Sequence, residues 1–245
     1  MTLRYNYQVD KIYGIRNGYQ GIYTDTDKTY INLENNLVKD IHKYGGTILG
    51  SSRGGFDLDK ITDALVEKKI NMLFVIGGDG THRGIQKIAD ECIRRKLKIV
   101  VCGIPKTVDN DIPIIDRTFG FETAVEQAVK VVEAAKVEAL SAINGIGIVK
   151  LFGRSCGFIS LYAALASRDV NICLIPESEF ELYGEKGLLD FVITRVKERG
   201  HCLIVVAEGC GTAIKDLDVG DSGVVDKSGN KKLIVSFIQL ILFNY

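Results

Sequence analysis

The stretch GIPKTVDND (103–111) places two aspartates, Asp109 and Asp111, two positions apart, just after Lys106 and Thr107. Two ionised carboxylates at that spacing repel each other, and a turn needs at most one of them. At a strand end, one carboxylate can take the proton of a substrate hydroxyl. The other can support a metal ion and the geometry around it. Lys106 can offset their charge or meet phosphate oxygens. DND is also excellent Asx-turn sequence, and composition does not choose between the two readings.

A second stretch, IGGDGTHRG (76–84), follows an apolar run and opens a helical pattern. Gly77, Gly78, Gly80 and Gly84 let backbone approach a ligand, and a helix N-terminus offers unpaired N–H groups to phosphate. Asp79 is out of place beside a bare phosphate but suits Mg²⁺ bound to a nucleotide. A tight turn with Asp79 or Thr81 as helix cap is the structural alternative, but three glycines in four residues exceed what a cap needs. Three further stretches have the same strand-end character. In KLFGRSCGF (150–158), Arg154 suits a phosphate or sugar-phosphate oxygen, and suits a neighbouring carbonyl equally well. In VVAEGCG (205–211), Glu208 is placed to accept sugar hydroxyls or to sit in a solvated turn. SSRGGFD (51–57) offers Arg53 and Gly54 to nucleotide phosphates, or is a plain loop.

These stretches need a scaffold that gathers strand ends. Apolar runs at 71–78, 98–105, 145–153, 170–176 and 201–209 read as strands buried on both faces, as in parallel sheets. Between them lie helical patterns at 57–69, 82–96, 122–141, 155–168 and 187–200. In the third of these, Ala124, Ala128, Val131, Val132, Ala135 and Ala139 share one face at helical spacing. Strand alternating with helix predicts an α/β fold with doubly wound, mostly parallel sheets, whose ligands gather at the carboxyl ends of the strands. A boundary is expected near 141–145. Residues 211–232, rich in Gly, Asp and Lys, read as loop.

Composition narrows the function classes. The 245 residues carry 31 Lys+Arg against 31 Asp+Glu, so no net field draws the chain to nucleic acid or to an anionic membrane. The longest apolar tract, LIVSFIQLILF (233–243), is too short to span a bilayer. Six cysteines without a C-x-x-C pair, and three histidines without ligand spacing, predict buried free thiols rather than a zinc site. The start has no apolar signal core, and a cytoplasmic location is the expectation.

As a set and in this order, SSRGG, GGDGT, PKTVDND, TFGFETA, FGR and AEG resemble the 6-phosphofructokinase family over residues 12–230. The pairing of GGDGT with PKT-x-DND is similar to its plant and protist branch. GGDGT alone is also similar to NAD kinases and diacylglycerol-type lipid kinases, but PKTVDND and AEG are not. The resemblance implies two Rossmann-like domains, with nucleotide at 1–141, fructose 6-phosphate at 142–230, and an atypical apolar tail at 231–245. It implies Asp109 as the base at the sugar 1-hydroxyl, with Thr107 and Asp111 flanking the transferred phosphoryl group. It implies Asp79 serving Mg²⁺, and Arg53, Gly54, Gly78, Gly80, Thr81 and Gly84 lining ATP. Phe152, Gly153, Arg154 and Glu208 would hold the sugar phosphate.

Gly80 stands where pyrophosphate-using members of the family carry a second Asp, so ATP is the expected donor; Lys106 occurs in both kinds. A homo-oligomer and allosteric control are family habits. The chain departs from the family in three ways. It lacks the early GG-x-x-PG-x-N loop, it has Phe152 where Met is usual, and its resemblance stops past 228–232. An incomplete fold with exposed sheet edges and apolar faces is therefore expected. A pyrophosphate-dependent enzyme, or a non-catalytic family member that binds a full-length partner, is the alternative.

Overall fold

The computed structural model describes residues 1–24, 26–153 and 155–215. The predicted tail 231–245 and the end of the expected sugar segment lie outside the described residues. Two compact units emerge. One comprises Met1–Ile76 and Gly80–Ile104; the other comprises Gly77–Asp79 and the chain from Pro105 onward.

The first unit opens with α1 (Thr2–Tyr5), β1 (Tyr13–Ile15), α2 (Gln20–Tyr23), α3 (Thr26–Thr29), β2 (Tyr30–Asn32) and α4 (Asn35–Val38). β1 and β2 pair antiparallel. None of these short pieces has the length that makes periodicity readable. There follow α5 (Leu58–Glu67), β3 (Met72–Gly77), α6 (Asp79–Arg94) and β4 (Val100–Thr107). Asp57 caps α5 by accepting the Lys60 N–H at 3.2 Å. Ile61 and Leu65 of α5 and Ile88 and Cys92 of α6 pack with Leu73 of β3 in one core. Glu91 of α6 is gripped by Arg94 and Arg95, which hold its carboxyl down to about 2. Arg95 also meets Asp59 and Asp63, tying α6 to α5.

The expectation that every strand is buried on both faces fails here. β3 buries Leu73 and Gly77, but Met72, Phe74 and Ile76 are exposed, as is Val100 on β4. Alternation on a strand means that one face is covered and the other is not. An apolar residue on the uncovered face reads the same in sequence as one in the core.

The second unit holds β5 (Phe119–Gly120), α7 (Phe121–Ser141), β6 (Gly145–Leu151), α8 (Phe158–Ser167), β7 (Ile172–Leu174), α9 (Leu188–Arg199) and β8 (His201–Ala207). The last residues of β4 pair parallel with β5, Lys106 opposite Phe119. The main sheet runs β6-β8-β7, all parallel, with β8 in the middle. Leu203, Ile204, Val205 and Val206 of β8 are at most 1% exposed, each worth roughly 1.5–3 kcal/mol of apolar burial. Alternate residues serve opposite layers. Cys202, Ile204 and Val206 pack with Leu188 and Val192 of α9. Leu203 and Val205 pack with Val132 of α7 and Val149 of β6. This is the predicted buried parallel strand between helices.

On α7 the buried stripe is Phe121, Ala128, Val132 and Ala139. The expected Val131 lies 52% exposed, because one residue of offset rotates it about 100° off the stripe. Of the six cysteines, all free, Cys102 is exposed, against the expectation of buried thiols throughout. No helix among the described residues is long and apolar enough to cross a membrane.

Candidate active site

Four strand-end motifs gather in the second unit. Gly78, after β3, faces the end of β4: a Cβ there would lie 3.6 Å from Thr107 Cβ and 3.8 Å from the Lys106 carbonyl oxygen. The GGD and PKT motifs are thus in van der Waals reach. Asp79 is the first residue of α6, an acidic group inside the first turn rather than a cap. A carboxylate there is favoured by the helix dipole.

The DND loop shows which of its residues makes the turn. The turn residue is the middle one. Asn110 sits at φ 57° in the left-handed region, where Asn is tolerated better than most residues. Its Oδ1 accepts the Thr118 N–H at 2.8 Å, and its Nδ2 donates to the Asp116 carbonyl at 3.2 Å. The buried Thr118 hydroxyl donates in turn to the Thr107 carbonyl at 2.7 Å. Thr107 Oγ1 accepts the Asp109 N–H at 3.2 Å. Asn110 therefore supplies side-chain hydrogen bonds that close the turn. Asp111 Oδ1 is buried without a hydrogen-bond partner among the described residues. Such an orphan is costly and calls for a reason. Asn110 escaped the sequence reading; Asn at the centre of a D-N-D turn was its only signal. Asn110→Ala is expected to lower stability by about 2 kcal/mol in chemical denaturation, from lost hydrogen bonds and left-handed strain. Asn110→Gly should recover the strain part alone.

The FGR and AEG motifs are clipped together by backbone. The Glu208 N–H donates to the Leu151 carbonyl at 3.0 Å, and the Gly209 N–H donates to the Gly153 carbonyl at 2.8 Å. Gly153 is buried, whereas Phe152 is 68% exposed beside it. Glu208 is half-buried. Arg154 lies outside the described residues. Cys156 joins this pair of motifs to the DND loop, its Sγ donating to the Asp109 carbonyl at 3.1 Å. Glu177, beyond β7, accepts the Gly157 N–H at 2.8 Å and so occupies the N-terminus of α8. Neither Cys156 nor Glu177 was marked by sequence.

In the first unit, Arg53 and Gly54 are exposed in a loop. Gly80, the second residue of α6, stands in open space: apart from its chain neighbours and its own helix, nothing lies within 4 Å of where a Cβ would stand. Gly84 is different. A Cβ there would meet the Tyr19 Oη at 2.6 Å and Phe56 at 3.0 Å. The Tyr19 and Phe56 rings meet edge to face at 5.1 Å, and the Tyr19 hydroxyl donates to the Thr81 carbonyl at 2.7 Å. Gly84 thus serves helix packing whatever else it does. Tyr19 anchors the GGDGT turn, a role its local sequence does not show.

Among the described residues no group of three His, Cys, Asp or Glu side chains could hold a metal ion by itself. Mg²⁺ carried by a nucleotide needs only one or two protein carboxylates, the phosphates and water completing its shell. Asp79 and the orphaned Oδ1 of Asp111 fit that demand.

Residues 1–238 match the model of the family described as Phosphofructokinase. The chain belongs to that family. ATP-dependent 6-phosphofructokinase 7 of Arabidopsis thaliana is 53% identical over 232 residues, covering 95% of this chain and 47% of the relative. The ATP-dependent 6-phosphofructokinase of Trypanosoma cruzi is 47% identical over 227 residues, covering 93% and 45%. The crystal structure of Pichia pastoris phosphofructokinase in the T-state matches with a TM-score of 0.76 at 23% identity. It covers 98% of this chain and 25% of that one, and at that identity it shows the fold alone. The chain spans about half the length of the curated relatives it matches.

Proposed function

We propose that this chain carries the phosphoryl-transfer site of an ATP-dependent 6-phosphofructokinase. The 1-hydroxyl of fructose 6-phosphate loses its proton to the Asp109 carboxylate, its oxygen bonds to the γ-phosphorus of ATP, and ADP departs. The observation that carries this reading is the convergence of strand-end motifs on one loop: Gly78 lies against Thr107 at the end of β4, and Cys156, just past the FGR motif, donates to the Asp109 carbonyl. Thr107 and Gly78 lie at the same strand ends, where the phosphoryl group would pass. Mg²⁺, held by Asp79 with Asp111, would neutralise charge on the phosphates. Positioning and electrostatics then supply most of the rate.

Residues 1–141 would handle the nucleotide, with Arg53, Gly54, Gly80, Thr81 and Gly84 along it. Residues 142–230 would hold the sugar phosphate, through Phe152, Gly153, Arg154 and Glu208. A homo-oligomer and a cytoplasmic location belong to the same reading and rest on the family. The relatives named above are called ATP-dependent, and Gly80 agrees with them. Its open surroundings mean that Gly80→Asp adds a carboxylate without disturbing the protein. That variant is expected to lose ATP turnover at least tenfold while its melting temperature stays unchanged; undiminished ATP turnover would remove Gly80 from donor selection.

The deciding experiment is formation of fructose 1,6-bisphosphate by the purified chain with fructose 6-phosphate, Mg²⁺ and either ATP or pyrophosphate. Product with ATP alone is the expected result. Product with pyrophosphate would overturn the donor. No product from folded protein would make the chain a family member that binds without turning over.

A further inference from the structure

We propose that Cys156 is a positioning residue for Asp109, fastening the backbone of the proposed base to the segment that leads into α8. The inference rests on the phosphoryl-transfer reading for the meaning of Asp109, but not for the contact itself. The thiol lies 47 residues from Asp109 in sequence and donates to its carbonyl at 3.1 Å. Cys156 is 6% exposed, so water does not compete for that carbonyl at the sulfur. A thiol has one proton to give. That proton goes to the Asp109 carbonyl. Burial, with Asp109, Asp111 and Glu177 nearby, pushes the thiol up to about 11, so it remains a donor throughout the neutral range.

The anchor is itself held from the other side. The first N–H groups of a helix have no partner within it. Here the Gly157 N–H, at the N-cap of α8, is taken by Glu177. Ile175 packs against Gly157, where a Cβ would come within 2.3 Å of it. The entry to α8 at Cys156 and Gly157 is thus a fixed post between the loop after β7 and the DND loop. A base must sit within hydrogen-bond reach of the proton it takes, and small misplacements cost rate steeply. A chain of Glu177, Gly157, Cys156 and Asp109 supplies that constraint within one compact unit.

The test compares Cys156→Ala, which removes the donor, with Cys156→Ser, which keeps it. Amide hydrogen exchange is followed on peptides covering 105–118 of the whole chain. Cys156→Ala is expected to speed exchange there at least fivefold, with peptides from α7 and β8 unchanged; Cys156→Ser is expected to stay within twofold of the parent. In turnover, Cys156→Ala should lower kcat about tenfold with KM for ATP unchanged, and Cys156→Ser should restore most of it. Should the alanine variant not fold, Cys156→Val and Cys156→Thr make the same comparison at constant volume. Unchanged exchange at 105–118 in the variant without a donor would overturn the proposal. So would equal losses of kcat in variants with and without one. A parent chain that forms no bisphosphate, yet shows the exchange difference, would sink the kinase reading and leave the anchor standing.

Discussion

Asp109→Ala is expected to lower kcat by roughly 10²–10⁴ while the affinity for ATP, measured by direct titration, stays within about twofold. A base acts when the substrate hydroxyl gives up its proton, so its loss falls on the chemical step. The Asp109 N–H reaches Thr107 Oγ1 and the Asp109 carbonyl meets Cys156, and both are backbone contacts that alanine retains. Turnover at the parental rate would remove Asp109 from its role. Asp111 supplies a contrast. Its Oδ1 is buried without a partner among the described residues, so Asp111→Ala removes a desolvated oxygen. That variant is expected to gain about 1 kcal/mol of stability while losing turnover. Function and stability pull in opposite directions there, as strained sites commonly show.

Gly153→Ala is expected to lower the melting temperature by about 5–10 °C and to raise KM for fructose 6-phosphate at least tenfold. Gly153 has φ 139°, which side-chain-bearing residues avoid, and holding such a conformation costs on the order of 1–3 kcal/mol. The added Cβ would also stand 2.3 Å from the Cys156 carbonyl oxygen, a backbone atom that cannot turn aside. Relief would have to come from the backbone at Gly153 and Cys156. That movement strains the Gly153–Gly209 hydrogen bond and the thiol anchor on Asp109. Each kcal/mol is worth about 2–4 °C in a domain of this size. A Gly153→Ala protein with parental melting and kinetics would show that the loop adapts and that its conformation is not part of the site.

Much of this was legible in the residues alone. The strands of 145–151 and 201–207 announce themselves as predominantly apolar runs, and α7 by its 3.6-residue stripe, because burial imprints its own period on the chain. The order and spelling of the motifs pointed to the family, and residues 1–238 match its model. Periodicity reports only whether a residue faces a neighbour, not which neighbour. It therefore could not tell the covered face of β3 from the exposed one carrying Phe74 and Ile76, since both are apolar. Nor could it read β5, two residues long, which is defined entirely by its partner β4.

The site divides in the same way. Residue types and spacing nominated Asp79, Thr107, Asp109, Asp111 and Glu208, because carboxylates and hydroxyls at strand ends are chemically conspicuous. Only the tertiary structure showed that Asn110 carries the turn, that Gly84 makes room for Tyr19 and Phe56, and that Cys156 grips the Asp109 carbonyl. The physical reason is range. Strand and helix periods are set by neighbours a few residues away, and sequence states those directly. The bonds that hold a reacting group in place join residues 8, 47 or 62 positions apart, and those distances close only when sheets and helices pack.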